Sequence, residues 1–143
     1  MIVSDILQKK GEHLYTITPD TPLREAIQTL NQNNIGSLLV LDGEELVGII
    51  TERDILRAAD AEEVQLSALQ VRDLMTSDLV TCTPEMPLAK VMALMTEKRI
   101  RHLPVLADDQ LAGLISIGDV VKTRLEESEA EAQELKNYIR TGR

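Results

Sequence analysis

The sequence predicts an α+β fold: two β-α-β-β-α units packed pseudo-symmetrically through their sheets, followed by a C-terminal helix. The first observation behind this is an internal repeat. Thr18-Pro19-Asp20-Thr21-Pro22-Leu23 returns as Thr83-Pro84-Glu85-Met86-Pro87-Leu88 at an offset of 65 residues. The same offset relates Gly48-Ile49-Ile50-Thr51 to Gly113-Leu114-Ile115-Ser116, and Asp54 to Asp119. Upstream, Val3-Ser4-Asp5-Ile6-Leu7 matches Val71-Arg72-Asp73-Leu74-Met75 at an offset of 68, which places the length difference in an expected loop over 8–14. The second observation is that the apolar period switches between strand and helix values in the same order in both copies. The third is size: a lone unit of about 60 residues buries a poor core, so the copies are expected to share one.

Each element follows from local chemistry. A short alternating strand comes first, over Leu14–Thr18 and again over Leu79–Thr83. The Thr-Pro segment then starts a helix, because proline is tolerated in the first helical turn. Leu23, Ala26, Ile27 and Leu30 form an apolar stripe at helical spacing, and Leu88, Val91, Met92 and Met95 repeat it. A hairpin follows: Ser37–Leu41 and Leu46–Ile50 around Asp42-Gly43, then His102–Leu106 and Leu111–Ile115 around Asp108-Asp109. Closing helices start near Thr51 and Ser116. The second continues into the tail, where Val121, Leu125, Ser128, Ala132, Leu135 and Ile139 make an apolar seam among charged residues. Such a seam either packs on its own domain or pairs with a second subunit. The expected domains are 1–66, 67–125 and a helical tail over 126–143.

Composition narrows the function. Of 143 residues, 24 are acidic and 15 basic, giving a net charge of −9. That argues against coating nucleic acid and against adhesion to an anionic membrane. No apolar run approaches the ~20 residues of a spanning helix, and Met1-Ile2-Val3-Ser4-Asp5 does not read as a signal peptide. Cys82 is the single cysteine, so no intrachain disulfide forms, which fits a reducing cytoplasm. With no Trp or Phe and only Tyr15 and Tyr138, the core is aliphatic.

The repeated motif Gly-φ-φ-Thr/Ser-x-x-Asp, where φ is apolar, carries the chemistry. One reading is a helix capping box, with Thr51 or Ser116 as the cap and Asp54 or Asp119 reaching back to its N–H. The other uses the same geometry for a ligand. A hydroxyl and a carboxylate meet at a helix N-terminus that favours anions, and the carboxylate accepts the two hydroxyls of a ribose. Lys98-Arg99-Ile100-Arg101-His102-Leu103-Pro104 adds a basic cluster in an acidic chain, with Arg101 and His102 able to meet phosphate. The backbone at Leu14-Tyr15 or Leu79-Val80 can pair with a purine edge, with Val80 and Ile100 sandwiching the base. No catalytic or metal site emerges. His13 and His102 are the only histidines, without ligand spacing, and there is no phosphate loop of Walker type.

The two motifs and the Arg-His-Leu-Pro-Val segment, at this spacing, resemble a tandem pair of CBS domains, a Bateman module, over residues 1 to about 125. The chain looks like the small stand-alone bacterial CBS-pair proteins. The resemblance implies a non-catalytic regulatory module that binds an adenosyl ligand: AMP, ADP, ATP or NAD, with S-adenosylmethionine ranked last. It also implies clefts built from both copies. One comprises Thr51, Asp54, Leu79, Val80, Arg101, His102 and Pro104. The other comprises Ser116, Asp119, Leu14, Tyr15, Ile35, Gly36 and Ser37. The first, holding Arg101 and His102, is expected to favour phosphate-bearing ligands, since the second has Gly36-Ser37 at those positions. A homodimer and a regulated protein partner are expected too. The alternatives are a dimerisation adaptor with empty clefts and, further off, an enzyme.

Overall fold

The computed structural model describes residues 1–11, 14–61 and 65–140. Each copy opens with a leading helix: α1 (Val3–Lys10) in the first, and α4 (Val71–Leu74), preceded by a 3-10 turn at Leu66–Ala68, in the second. The first copy continues through β1 (Thr16–Ile17), α2 (Leu23–Asn33), the hairpin β2 (Ser37–Asp42) and β3 (Glu45–Thr51), and α3 (Glu52–Asp60). The second continues through α5 (Leu88–Lys98), β4 (His102–Ala107), β5 (Gln110–Ser116) and α6 (Ile117–Arg140). The sheets run β1-β2-β3, with β1 parallel to β2, and β4-β5. In β2, Ser37, Leu38, Leu39 and Val40 are all buried rather than alternating, so this sheet is covered on both faces. Strands β3 and β5 meet across the two copies.

The leading helices are exchanged. Val3 and Ile6 of α1 belong to the core of the second copy, with Leu88, Val91, Leu103 and Ile115. Val71 of α4 belongs to the core of the first, with Leu23, Leu38 and Ile50. Matched backbone hydrogen bonds fix the exchange. The N–H groups of Val3 and Ser4 donate to Met86 and Pro84 at 2.9 and 2.8 Å, and Leu88 N–H donates to Met1 at 3.1 Å. Their repeat equivalents, Val71 to Thr21, Arg72 to Pro19 and Leu23 to Leu69, are each 2.9 Å. Asp5 and Asp73 brace the two helix starts by accepting from the N–H of Ile2 and Gln70 at 2.9 and 2.8 Å. Glycines permit the close approach behind them. A Cβ on Gly48 would stand 2.6 Å from Met75 Sδ, and one on Gly113 would stand 2.5 Å from Leu7 Cδ2.

Two departures from the sequence reading, and one alternative it left open, have physical causes. Residues 3–7 and 71–75 carry helices that short, weakly periodic segments do not announce. The expected loop over 8–14 begins only after Lys10 (Glu12 and His13 lie outside the described residues). The strand expected at Leu79–Thr83 is reduced to a bridge between Cys82 and Val105. In the first copy Leu39 N–H donates to Tyr15 at 3.3 Å, but the equivalent of Leu39 is Pro104, which has no N–H, so that rung is missing. The first strand itself contracts to Thr16–Ile17. Finally, α6 runs unbroken through residue 125 to Arg140, and residues 128–140 are exposed without exception, so the seam does not pack on its own domain.

Because each leader completes the other copy's core, the copies are expected to unfold together. Val71→Ala, at a fully buried site, removes two methyl groups and costs about 2 kcal/mol. Urea denaturation is expected to show one transition, shifted as a whole. A second transition with an unshifted midpoint would show the copies to be independent.

Candidate functional site

The two helix starts are built alike. In α3, Thr51 N–H donates to Asp54 Oδ2 at 2.9 Å, the Thr51 hydroxyl to the same oxygen at 3.1 Å, and Asp54 N–H to Thr51 Oγ1 at 3.3 Å. In α6, Ser116 N–H donates to Asp119 Oδ2 at 2.9 Å and Asp119 N–H to Ser116 Oγ at 3.2 Å. Capping boxes thus form at both places. The bonds from described residues to either carboxylate fall on Oδ2, so Oδ1 remains an acceptor for a ligand hydroxyl. Each helix start is also tied to the head of the preceding hairpin: Glu52 N–H donates to Gly36 at 3.0 Å and Ile117 N–H to Arg101 at 2.8 Å.

A cavity of about 310 Å³ opens beside the second helix start. The first copy contributes Leu14, Tyr15, Ile35, Gly36 and Ser37, and the second contributes Ser116 and the β5 segment Ala112–Leu114. Leu7, Lys10 and Gly11 close it from α1 and the residue after it. Of the residues assigned from sequence to the second cleft, Asp119 alone is outside the lining, one turn into α6 behind Ser116. Of those assigned to the first cleft, His102 alone reaches this cavity, carried there by its cross-strand pairing with Ser116. The others are spread differently. Thr51 and Asp54 form the α3 cap, Leu79 and Val80 are half-buried ahead of the Cys82 bridge, Arg101 is exposed, and Pro104 is buried in β4.

Sequence reasoning missed Lys10. Its Nζ donates to Asp119 Oδ2 at 2.7 Å and to the Leu114 carbonyl at 3.0 Å. The signal was present, since Lys10 lies three residues beyond the repeated segment that ends at Leu7, but without α1 its direction was not legible. Burial pushes the Asp119 carboxyl up. The Lys10 ammonium and the Ser116 donors outweigh that and hold it below its usual 3.8. Burial is the main force lowering the His102 imidazole from 6.5; Lys10 and Arg101 add to it, while Asp119 and Glu52 oppose it. Burial also raises the Cys82 thiol to about 11, leaving an unreactive thiol in the second core. Among the described residues, no group of three or more His, Cys, Asp or Glu is placed to hold a metal ion, and no helix is long and apolar enough to cross a membrane.

Two copies of one unit, each completing the other's core and each starting its closing helix with a cap, share a cavity beside the second of those helix starts, and together they define a paired module. The chain belongs to the CBS domain family, whose model matches residues 3–61 and 71–126. It is 40% identical over 150 aligned positions to the CBS domain-containing protein CBSX3, mitochondrial, of Arabidopsis thaliana, covering 98% of this chain and 72% of that one. It is also similar to the structure of a putative signal-transduction protein with CBS domains from Burkholderia ambifaria MC40-6. There the identity is 40%, the TM-score 0.84, and the coverage 88% of this chain and 95% of that one. A third similar structure is the CBS domain pair of protein MJ0100 in complex with 5′-methylthioadenosine and S-adenosyl-L-methionine. It is 27% identical with a TM-score of 0.76, covering 90% of this chain and 98% of that one.

The cleft histidine is expected to make stability depend on pH. Its depressed pKa means that the unfolded chain takes up a proton more readily than the folded one. The associated stability is complete above 6.5 and declines as pH falls through that value. His102→Gln is expected to flatten the fall in urea midpoint between about pH 7 and about pH 5. An unchanged slope in the variant would place the dependence elsewhere.

Proposed function

We propose that this chain is a non-catalytic sensor module that binds an adenosine-bearing ligand in the cleft beside Ser116 and Asp119. The observation that carries this is the cavity itself. It measures about 310 Å³, near the lower end of the roughly 300–1,000 Å³ usual for small-molecule sites, and is lined from both copies. Apolar walls from Leu14, Ile35 and Leu114 suit a purine. Backbone at Leu14-Tyr15 offers pairing to its edge, and Asp119 Oδ1 accepts from the ribose. The complex of the MJ0100 CBS pair with two adenosyl compounds supports the same ligand class. Among adenosyl compounds, AMP, ADP, ATP and NAD are the proposed ligands. The placement of the cavity favours this cleft over the one at Thr51 and Asp54, the reverse of the ranking suggested by Arg101 and His102.

The proposed assembly is a homodimer that passes ligand occupancy to a protein partner, in the cytoplasm, where a single buried thiol stays reduced. The exposed face of α6 supports it: Leu125, Leu135 and Ile139 are 58%, 61% and 68% exposed, an apolar seam without cover in one chain. Neither nucleic acid nor membrane is a proposed partner, in keeping with the net charge of −9.

Calorimetric titration of AMP is expected to show binding that Asp119→Asn weakens by roughly 10- to 150-fold, the loss of hydrogen bonds to a charged group. Undiminished AMP affinity in Asp119→Asn would reduce the motif to helix capping. Light scattering is expected to give twice the 15.9 kDa chain mass, and Leu135→Asp with Ile139→Asp is expected to return the single-chain mass. A dimer unaffected by that pair would move the interface off α6.

A further inference from the structure

Resting on the adenosyl-ligand reading, we propose that Lys10 is the phosphate-recognition residue of the second cleft and makes it select adenosine compounds that carry a phosphate next to the ribose. Three observations converge. Among the described residues, Lys10 is the only lysine or arginine lining the cavity, and the other polar side chains there are Tyr15, Ser37, His102 and Ser116. Its ammonium is held in place: among the described residues, Asp119 Oδ2 at 2.7 Å and the Leu114 carbonyl at 3.0 Å accept from it, and an ammonium has a third hydrogen to donate. The same oxygen of Asp119 binds Lys10 and the Ser116 N–H, which leaves Oδ1 for ribose hydroxyls. Ribose acceptor and cation are therefore fixed side by side, the order in which sugar and phosphate follow one another in a nucleotide.

The two copies differ at this point. At the head of β2 the first copy has Gly36-Ser37 where the second has Arg101-His102, so the strand start supplies no cation to the second cleft. Lys10 supplies it from the leading helix. The second copy is three residues shorter between its leading helix and first strand, so it has no settled counterpart of Lys10. There α4 ends at Leu74 and the Thr76 backbone pairs with Ile49 at 2.9 and 3.1 Å, whereas in the second cleft the Lys10 ammonium bonds to Leu114, the equivalent of Ile49. A fixed cation also disfavours a sulfonium in the same place, so S-adenosylmethionine is the disfavoured adenosyl compound here.

The test is calorimetric titration of AMP, adenosine and S-adenosylmethionine into the full chain carrying Asp54→Asn, which restricts the readout to the second cleft, with and without Lys10→Met. AMP affinity is expected to fall by about tenfold or more in Lys10→Met, with adenosine changed by less than about threefold and Lys10→Arg restoring most of the AMP affinity. Equal losses for AMP and adenosine would make Lys10 a structural residue and overturn the proposal, as would an unchanged AMP affinity. If the Lys10→Met protein melts early, Lys10→Arg and Lys10→Gln at matched folded fraction give the same comparison. Binding of adenosine without any preference for AMP in the unsubstituted cleft defeats the phosphate role while leaving the adenosyl reading intact. Binding of none of the three defeats both.

Discussion

The reciprocal backbone bonds between each leading helix and the Thr-Pro turn of the other copy are the constraint on which the rest depends. They place α1 on β5 and bring Met75 and Thr76, just past α4, onto β3, and so decide what stands over each strand. Such bonds are strong per group when buried and expensive to leave unmade, so neither helix can leave without exposing its own orphan N–H groups and the other copy's core. The glycines at 48 and 113 follow from this. A side chain at either would collide with Met75 or Leu7, the leader residues that cross the sheet there.

One asymmetry inside that near-symmetry gives the two helix starts different surroundings. Helix α1 continues to Lys10, whereas α4 stops at Leu74 and the chain becomes an edge for β3. The longer helix carries its last-turn lysines onto α6. Lys9 pairs with Glu126 at 3.3 Å and Lys10 with Asp119 at 2.7 Å, and both ion pairs found among the described residues join α1 to α6. Lys9 and Glu126 are each about half exposed, a setting in which an ion pair contributes little. The Lys10–Asp119 pair is better covered, and Lys10 is also held by the Leu114 carbonyl and Asp119 by the Ser116 N–H, so its main effect is to orient both groups. The capping box does the same for the carboxylate: it fixes Oδ2 to the helix start and leaves Oδ1 turned to other use. Capping and ligand binding are thus compatible roles for the same aspartate, and the cap preorganises the acceptor.

Much of this was legible in the sequence because the signals were periodic and repeated. The stripes of Leu23 to Leu30 and Leu88 to Met95 gave helices, the alternation around Gly43 and Asp108-Asp109 gave hairpins, and both closing helices begin at the expected Thr51 and Ser116. The residues proposed for the second cleft came from the family resemblance, carried onto the repeat register. What escaped was tertiary. Val3–Leu7 and Val71–Met75 are too short for helical period to declare itself, and their helices are held by bonds to distant residues rather than by propensity. The exchange of leaders cannot be read from adjacency along the chain, and Lys10 points into a cleft only because of it. Pro104 was visible, yet its consequence for the Leu79–Thr83 strand depends on which N–H the pairing needed. The seam of α6 was legible as a pattern, but whether it was covered was not.

The central claim is that a cleft shared by both copies, between α1, the Gly36-Ser37 segment and the start of α6, receives an adenine nucleotide. Amide chemical-shift mapping of the isotope-labelled full chain during titration with AMP addresses it directly. The account requires saturable shifts clustered at Leu14, Tyr15, Gly36, Ser37, Leu114 and Ser116, residues far apart in sequence and adjacent only in this fold. Shifts confined to the exposed half of α6, or none at millimolar AMP, would contradict it.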